Sequence, residues 1–150
     1  MTFLGNAQTF NATEQQQKIT VFLNTGTVVG NLGIFDKFTG GDAKAPVTKH
    51  RAGGMGGEIS YLALPEFGEV TVSRVNDEGR DTALIAYLRT VVGAIYGTVT
   101  TQPLDAAGAA IQTPTTYYGR LSSVMPGAAD STSAAPRMFE MTFAIESEGN

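Results

Sequence analysis

The segment Ala52-Gly53-Gly54-Met55-Gly56-Gly57 is the first place to look for chemistry, because clustered glycines can cradle a phosphate. A Walker loop needs Gly-Lys followed by Ser or Thr at the start of a helix, whereas Glu58 and strand-forming residues follow here. A dinucleotide fingerprint needs a strand before the glycines and a helix after them, and neither is predicted. The cluster therefore reads as a turn with unusual backbone angles. His50 is the only imidazole, and it lies between Lys49 and Arg51. Those cations oppose its protonation, and no neighbouring carboxylate orients it as a hydrolase base requires. With one histidine and no cysteine, multi-histidine metal sites, thiolate nucleophiles and zinc fingers are excluded.

The carboxylates fare no better. Asp77, Glu78 and Asp81 surround the start of a predicted helix, where negative charge complements the helix dipole without any bound cation. Glu140 and Glu146 share one face of a predicted strand, but six residues at strand rise separate them by about 20 Å. A glycosidase pair needs a much shorter spacing. Tyr117 and Tyr118 point to opposite faces, and the five tyrosines show no clustering in sequence. No catalytic constellation and no cofactor site emerge, so the residues predict a non-enzyme.

The elements that carry these residues are mostly strands. A chain of 150 residues suits one domain, and 42% hydrophobic residues can build a core. Charged residues make up 16%, against roughly 25% in average soluble domains, while threonine (19) and glycine (18) are abundant. That mixture favours strands and turns. A net charge of −4 disfavours a protein that grips nucleic-acid phosphates. No apolar run approaches the ~18 residues of a membrane span. Residues 1–17 lack a signal-peptide pattern, which predicts a soluble protein made without Sec-type export.

Along the chain, residues 1–29 read as a polar N-terminal arm with a short strand around Ile19, Val21, Phe22 and Leu23, and residues 30–150 as a single β domain. Leu32–Phe38 is the first predicted body strand, closed by Gly40-Gly41. Residues 42–57 form a long connection, a length usually reserved for functional or unstructured segments. Strands follow over 58–64 and 69–75. One helix spans about 81–92, with Leu84, Ile85, Leu88, Val91 and Val92 as its apolar stripe. A hairpin then joins strands over 95–104 and about 111–124 through Asp105-Ala106-Ala107-Gly108. In the last strand, 137–146, Phe139, Met141, Phe143 and Ile145 alternate with Glu140, Thr142, Ala144 and Glu146. The fold class is mainly β with one α-helix.

Charge is distributed unevenly. Lys37 to Arg51 holds four cations and one acid, a local net of +3, while Met138 to Asn150 holds three acids and no cation, a local net of −3. A basic loop on one copy meeting an acidic face on the next is a head-to-tail contact, of the kind that builds rings or filaments.

Two segments carry a family resemblance. Gly33-Ile34-Phe35-Asp36-Lys37-Phe38-Thr39-Gly40-Gly41-Asp42, followed by Thr48-Lys49-His50-Arg51-Ala52-Gly53-Gly54-Met55, resembles the tail tube proteins of long-tailed bacteriophages. The later order agrees: the strand over 69–75, the helix, Val99-Thr100-Thr101-Gln102-Pro103-Leu104-Asp105, and Tyr118-Gly119-Arg120-Leu121. The resemblance covers about residues 30–147. It implies an antiparallel β-sandwich or open barrel with a flanking helix, like the tube subunits of contractile injection and type VI secretion systems. It further implies rings, usually hexamers, that stack into a hollow conduit for genome ejection. A tape measure protein, a tail terminator and distal tail or baseplate proteins are the implied partners; DNA passes without specific binding, a sheath is an open alternative, and no membrane is involved. The implied location is the virion tail, after synthesis in the bacterial host cytoplasm.

On that reading the face of Glu140, Thr142 and Glu146 lines the lumen. The loop holding Lys44, Lys49, His50, Arg51, Gly53, Gly54 and Met55 contacts a neighbouring subunit or ring, ordering on assembly. About four strands from each of six copies would close a barrel wider than those of 16–18 strands, which already leave an aqueous channel. The inner tube of a contractile injection system is the alternative assembly, and a monomeric β-sandwich binding module the alternative outside it.

Overall fold

A computed structural model describes residues 17–24, 30–51, 53, 57–127 and 129–149. The chain enters with β1 (Gln17–Asn24), in which Ile19, Val21 and Leu23 are buried while Lys18, Phe22 and Asn24 are exposed. β2 (Asn31–Phe35) returns antiparallel to β1, with Ile19 opposite Phe35. After one residue, Asp36, the chain continues as β3 (Lys37–Gly40). Two short elements, β4 (Ala43–Lys44) and β5 (Val47–Arg51), precede β6 (Glu58–Leu62), β7 (Glu66–Phe67) and β8 (Glu69–Val75). The helix α1 (Glu78–Val91) leads to β9 (Tyr96–Pro103), β10 (Thr115–Met125) and β11 (Met138–Gly149).

Seven strands form one antiparallel sheet in the order β2-β1-β9-β10-β11-β8-β3. β2 and β3 are consecutive in the chain yet occupy opposite edges, so the sheet must curl into a half-barrel until its edges nearly meet. Asp36 makes the crossing. Its N–H donates to the Ser73 carbonyl at 2.9 Å, and its Oδ2 accepts the Val75 N–H at 3.2 Å. The single strand predicted over 32–38 is therefore two strands with different partners. Of the two predicted architectures, the open barrel is the one that forms.

The concave side is filled by Val21, Val70, Val72, Val99, Leu121, Phe139, Met141 and Phe143, all fully buried, and by Ile85 and Leu88 of α1. Burying a side chain of this size contributes roughly 1.5–3 kcal/mol, so strict alternation along β11 fixes its register firmly. Close packing also demands particular glycines. A Cβ on Gly97 would collide with the Phe143 ring, and one on Gly40, whose φ is +101°, would collide with the Glu69 carbonyl.

The helix starts one turn earlier than the periodicity predicts, because Asp77 caps it by accepting the Gly79 N–H at 3.0 Å. It ends as predicted at Gly93, which takes a φ of +87° and donates its N–H to the Leu121 carbonyl at 2.8 Å. Val92, placed in the apolar stripe by spacing, is exposed at the C-cap. The Asp105–Gly108 turn and its antiparallel hairpin form, with Asp105 Oδ1 accepting the N–H groups of Ala107 and Ala109.

Two expectations about organisation change. Gln17–Asn24 belongs to the body sheet between β2 and β9, not to an arm, because its three alternating aliphatic residues are needed to complete the core. Residues 1–16 and 25–29, the rest of that arm, lie outside the described residues. The segment 42–57 is not an irregular connection either. It supplies β4, which pairs with β7, and β5, which pairs with β6.

Candidate assembly surfaces

β5 and β6 form a ribbon in register: Val47 opposite Leu62, Thr48 opposite Tyr61, Lys49 opposite Ser60, His50 opposite Ile59, and Arg51 opposite Glu58. All ten residues are exposed. The ribbon carries Lys49, His50 and Arg51 from the predicted contact loop, with Gly53 in the turn beyond. Gly54 and Met55 lie outside the described residues. Lys44 is set apart on β4, opposite Glu66 of β7. Acids thus face two of the four cations, Lys44 and Arg51, which lowers the local charge excess read from sequence. The apolar members of the ribbon, Val47, Ile59, Tyr61 and Leu62, were not among the predicted contact residues. Their signal was present as strand-like runs flanking a glycine-rich turn.

The second candidate surface is the convex face of the sheet. Phe139, Met141, Phe143 and Ile145 are buried, so Glu140, Thr142, Ala144 and Glu146 are turned away from the core. Glu140 and Thr142 are half-buried, whereas Glu146 is exposed at an irregularity where the pairing passes from Gly119–Ile145 to Tyr118–Ser147. Threonines dominate this face. Thr39, Thr71 and Thr142 align across β3, β8 and β11, with a 3.1 Å hydrogen bond between the Thr71 and Thr142 hydroxyls. Thr20, Thr100 and Thr116 align across β1, β9 and β10. The face is polar and carries both signs of charge, with Lys18, Lys37 and Arg120 exposed alongside Glu69, Glu140 and Glu146.

The carboxylates at the helix start have structural work. Asp81 is fully buried and accepts from Arg74 at 2.7 Å, Arg80 at 3.0 Å and the Asp77 N–H at 3.1 Å. Burial alone would raise its pKa, but these hydrogen bonds and the Arg74 charge outweigh it and hold the carboxyl below its usual range. Burial pulls the Arg74 guanidinium in the opposite sense, toward neutrality, and Asp81 restores part of its charge. Arginine still titrates far above neutral pH, so the two are ionised partners. Arg74 also donates to the Leu32 carbonyl and lies 4.5 Å from the Phe35 ring centroid. No group of His, Cys, Asp or Glu suited to a metal occurs among the described residues.

The tyrosines do cluster in one place. Tyr96 and Tyr118 stack with ring centroids 5.4 Å apart, and Arg120 donates to the Tyr96 hydroxyl at 2.6 Å. Tyr117, on the opposite face as predicted, packs 5.3 Å from Phe38. Burial and then nearby Glu148 push its phenol upward. Each ring gives one face to the stack, and the Arg120 guanidinium lies 5.1 Å from the Tyr96 centroid. No helix among the described residues is long and apolar enough to cross a membrane.

No protein-family model matches the sequence. No curated protein matches it either. Solved structures do match. A chain of the anti-feeding prophage tube-terminating cap aligns with a TM-score of 0.74 at 13% identity, covering 99% of this chain and 96% of that one. A chain of the sheath/tube terminator of an extracellular contractile injection system, in its extended state, aligns at 0.72 with 15% identity over 95% and 97%. A chain of the six-fold symmetrised anti-feeding prophage baseplate gives 0.73 at 13% identity over 95% and 96%. Identities this low carry the architecture alone, and the curled sheet with its single helix is the tail-tube type of fold, shared with structural components of contractile injection systems.

Proposed function

We propose that this chain is a tube subunit that assembles with itself into stacked rings around a hollow conduit. The observation that carries the reading is the near full-length match to injection-system components, including a chain of a sheath–tube complex aligned at a TM-score of 0.64 over 87% of this chain. Six copies per ring is the preferred number, supported by the six-fold symmetry named for the baseplate neighbour.

In this reading the convex threonine face with Glu140, Thr142 and Glu146 lines the bore. A conduit works by not binding its cargo, and here the carboxylates of Glu69, Glu140 and Glu146 offset Lys18, Lys37 and Arg120 among the hydroxyls. The β5–β6 ribbon, with Lys49, His50, Arg51 and Gly53, makes the contact with a neighbouring subunit or ring. Tape measure, terminator and baseplate proteins are the expected partners, and the chain acts in a phage tail that ejects DNA. The inner tube of a contractile injection system is the second reading, favoured by the origin of the matching structures.

Negative-stain electron microscopy of the concentrated protein, with sedimentation of the same sample, tests the reading. Rings or hollow tubes are expected. A sharp monomer at every concentration tested, with neither rings nor tubes, would overturn it in favour of a monomeric binding module.

A further inference from the structure

We infer that the β5–β6 ribbon inserts between two neighbouring copies of this chain, so that both of its faces are covered in the assembly. The inference rests on the self-assembly reading and specifies how its contact is built.

Cross-strand pairs share a face, and successive residues alternate between faces. One face of the ribbon therefore holds Val47 with Leu62 near its base, then Lys49 with Ser60 and Arg51 with Glu58. The other holds Thr48 with Tyr61 and His50 with Ile59. Both faces carry large apolar side chains open to solvent: Val47 is 53% and Leu62 70% exposed on the first, Ile59 45% and Tyr61 56% on the second. A ribbon that lies on a surface needs only one apolar face, with polar residues on the wet side, as β11 shows within this same chain. Loss of that alternation is the pattern of strands covered on both sides. A lone two-stranded hairpin is also marginally stable in water, which adds to the gain from being covered.

The occupant is a second copy for reasons of charge and geometry. Lys49, opposite Ser60, has no acid across the ribbon. Its complement is the end of β11, where exposed Glu148, opposite Tyr117 and off the threonine face, extends past the last β8 pairing, Ala144 with Glu69. Ribbon and acidic strand end are different residues of one subunit, so their contact between copies is head-to-tail and repeats.

Two double variants of the full chain test the inference, Val47→Ser with Leu62→Ser for one face and Ile59→Ser with Tyr61→Ser for the other. None of the four residues belongs to the buried core, so the monomers should melt as wild type. Each double variant is expected to raise the protein concentration needed for assembly at least tenfold. Wild-type assembly by either one overturns two-sided insertion, while wild-type tubes in the same experiment keep the assembly reading intact. A wild-type chain that never assembles fails at that earlier step and brings down both.

Thiol labelling gives a second readout that does not depend on those variants folding. The chain has no cysteine, so Lys49→Cys and His50→Cys each place a single thiol, on opposite faces. Both thiols should react with a maleimide in the monomer and be protected at least tenfold in assembled material. One that stays fully reactive shows an uncovered face and sinks the proposal.

Discussion

Arg74 Nη2 lies 2.7 Å from Asp81 Oδ1, and both side chains are buried, at 5% and 0% exposure. The pair ties β8 to the first turn of α1, and the Arg74 bond to the Leu32 carbonyl extends the tie to β2. Two consecutive elements and a strand 42 residues upstream meet at one guanidinium.

Replacing Arg74 with leucine leaves the buried Asp81 carboxylate with Arg80 as its one ionic partner, and breaking a buried pair from one side costs about 3–5 kcal/mol. In a domain of this size each kcal/mol shifts the midpoint by roughly 2–4 °C, so thermal melts should fall by about 10 °C. Arg74→Leu combined with Asp81→Leu should recover part of that loss, since the one partner then left, Arg80, is half exposed and solvated by water.

The same pair sets an acid response. Asp81 has a folded pKa below its unfolded one, so its contribution is present above about pH 4, the ordinary carboxylate value, and fades as pH falls through the folded value. Asp81→Asn should therefore be less stable than wild type at pH 7, with the gap narrowing below pH 4. Urea midpoints at pH 7, 4 and 3 read this out, and a gap that stays constant would contradict it.

Gly40→Ala places a methyl group against the Glu69 carbonyl at a backbone angle that disfavours side chains. Strain of this kind costs about 1–3 kcal/mol. Calorimetry should show the loss, and the affected edge pairing of β3 with β8 should exchange its amide hydrogens faster.

Glu140→Lys with Glu146→Lys puts cations on the proposed bore. Tubes should still assemble, because neither side chain supports the core. Passage of DNA should slow several-fold, and ejection kinetics unchanged from wild type would remove these residues from the lumen.

Deleting Lys49–Met55 removes Lys49, His50 and Arg51 of β5 and, among the described residues, nothing of the buried core. The expected product is a monomer with native far-ultraviolet dichroism and melting temperature that no longer sediments as polymer. Tubes formed by the deletion variant would show that the ribbon is dispensable.

Much of the fold was legible because it obeys simple periods. The alternation from Phe139 to Ile145 and the Asp105–Gly108 turn translate directly into β11 and the β9–β10 hairpin. What stayed hidden was long-range. Nothing local in Leu32–Phe38 shows that its halves pair with strands on opposite edges, since that depends on sheet curvature. The ribbon was masked for a related reason. Val47 and Ile59 lack a core partner in the subunit, so their short runs give no amphipathic pattern to detect. On the candidate surfaces, the basic residues drew the eye while cross-strand acids Glu58 and Glu66 temper them in three dimensions. Tyr96 and Tyr118, 22 positions apart, meet only because β9 and β10 are paired.

The crossing at Asp36 has a mechanical consequence. Barrels ordinarily close along a seam of hydrogen bonds, which can be opened one rung at a time. Here the backbone itself spans from one rim to the other through a single residue, so the circumference is set by a covalent link. A radial load on the wall cannot unzip that seam; it must first pull β2 from β1 or β3 from β8. The curvature of the half-barrel is thus pinned at one corner by a bond that thermal motion does not open.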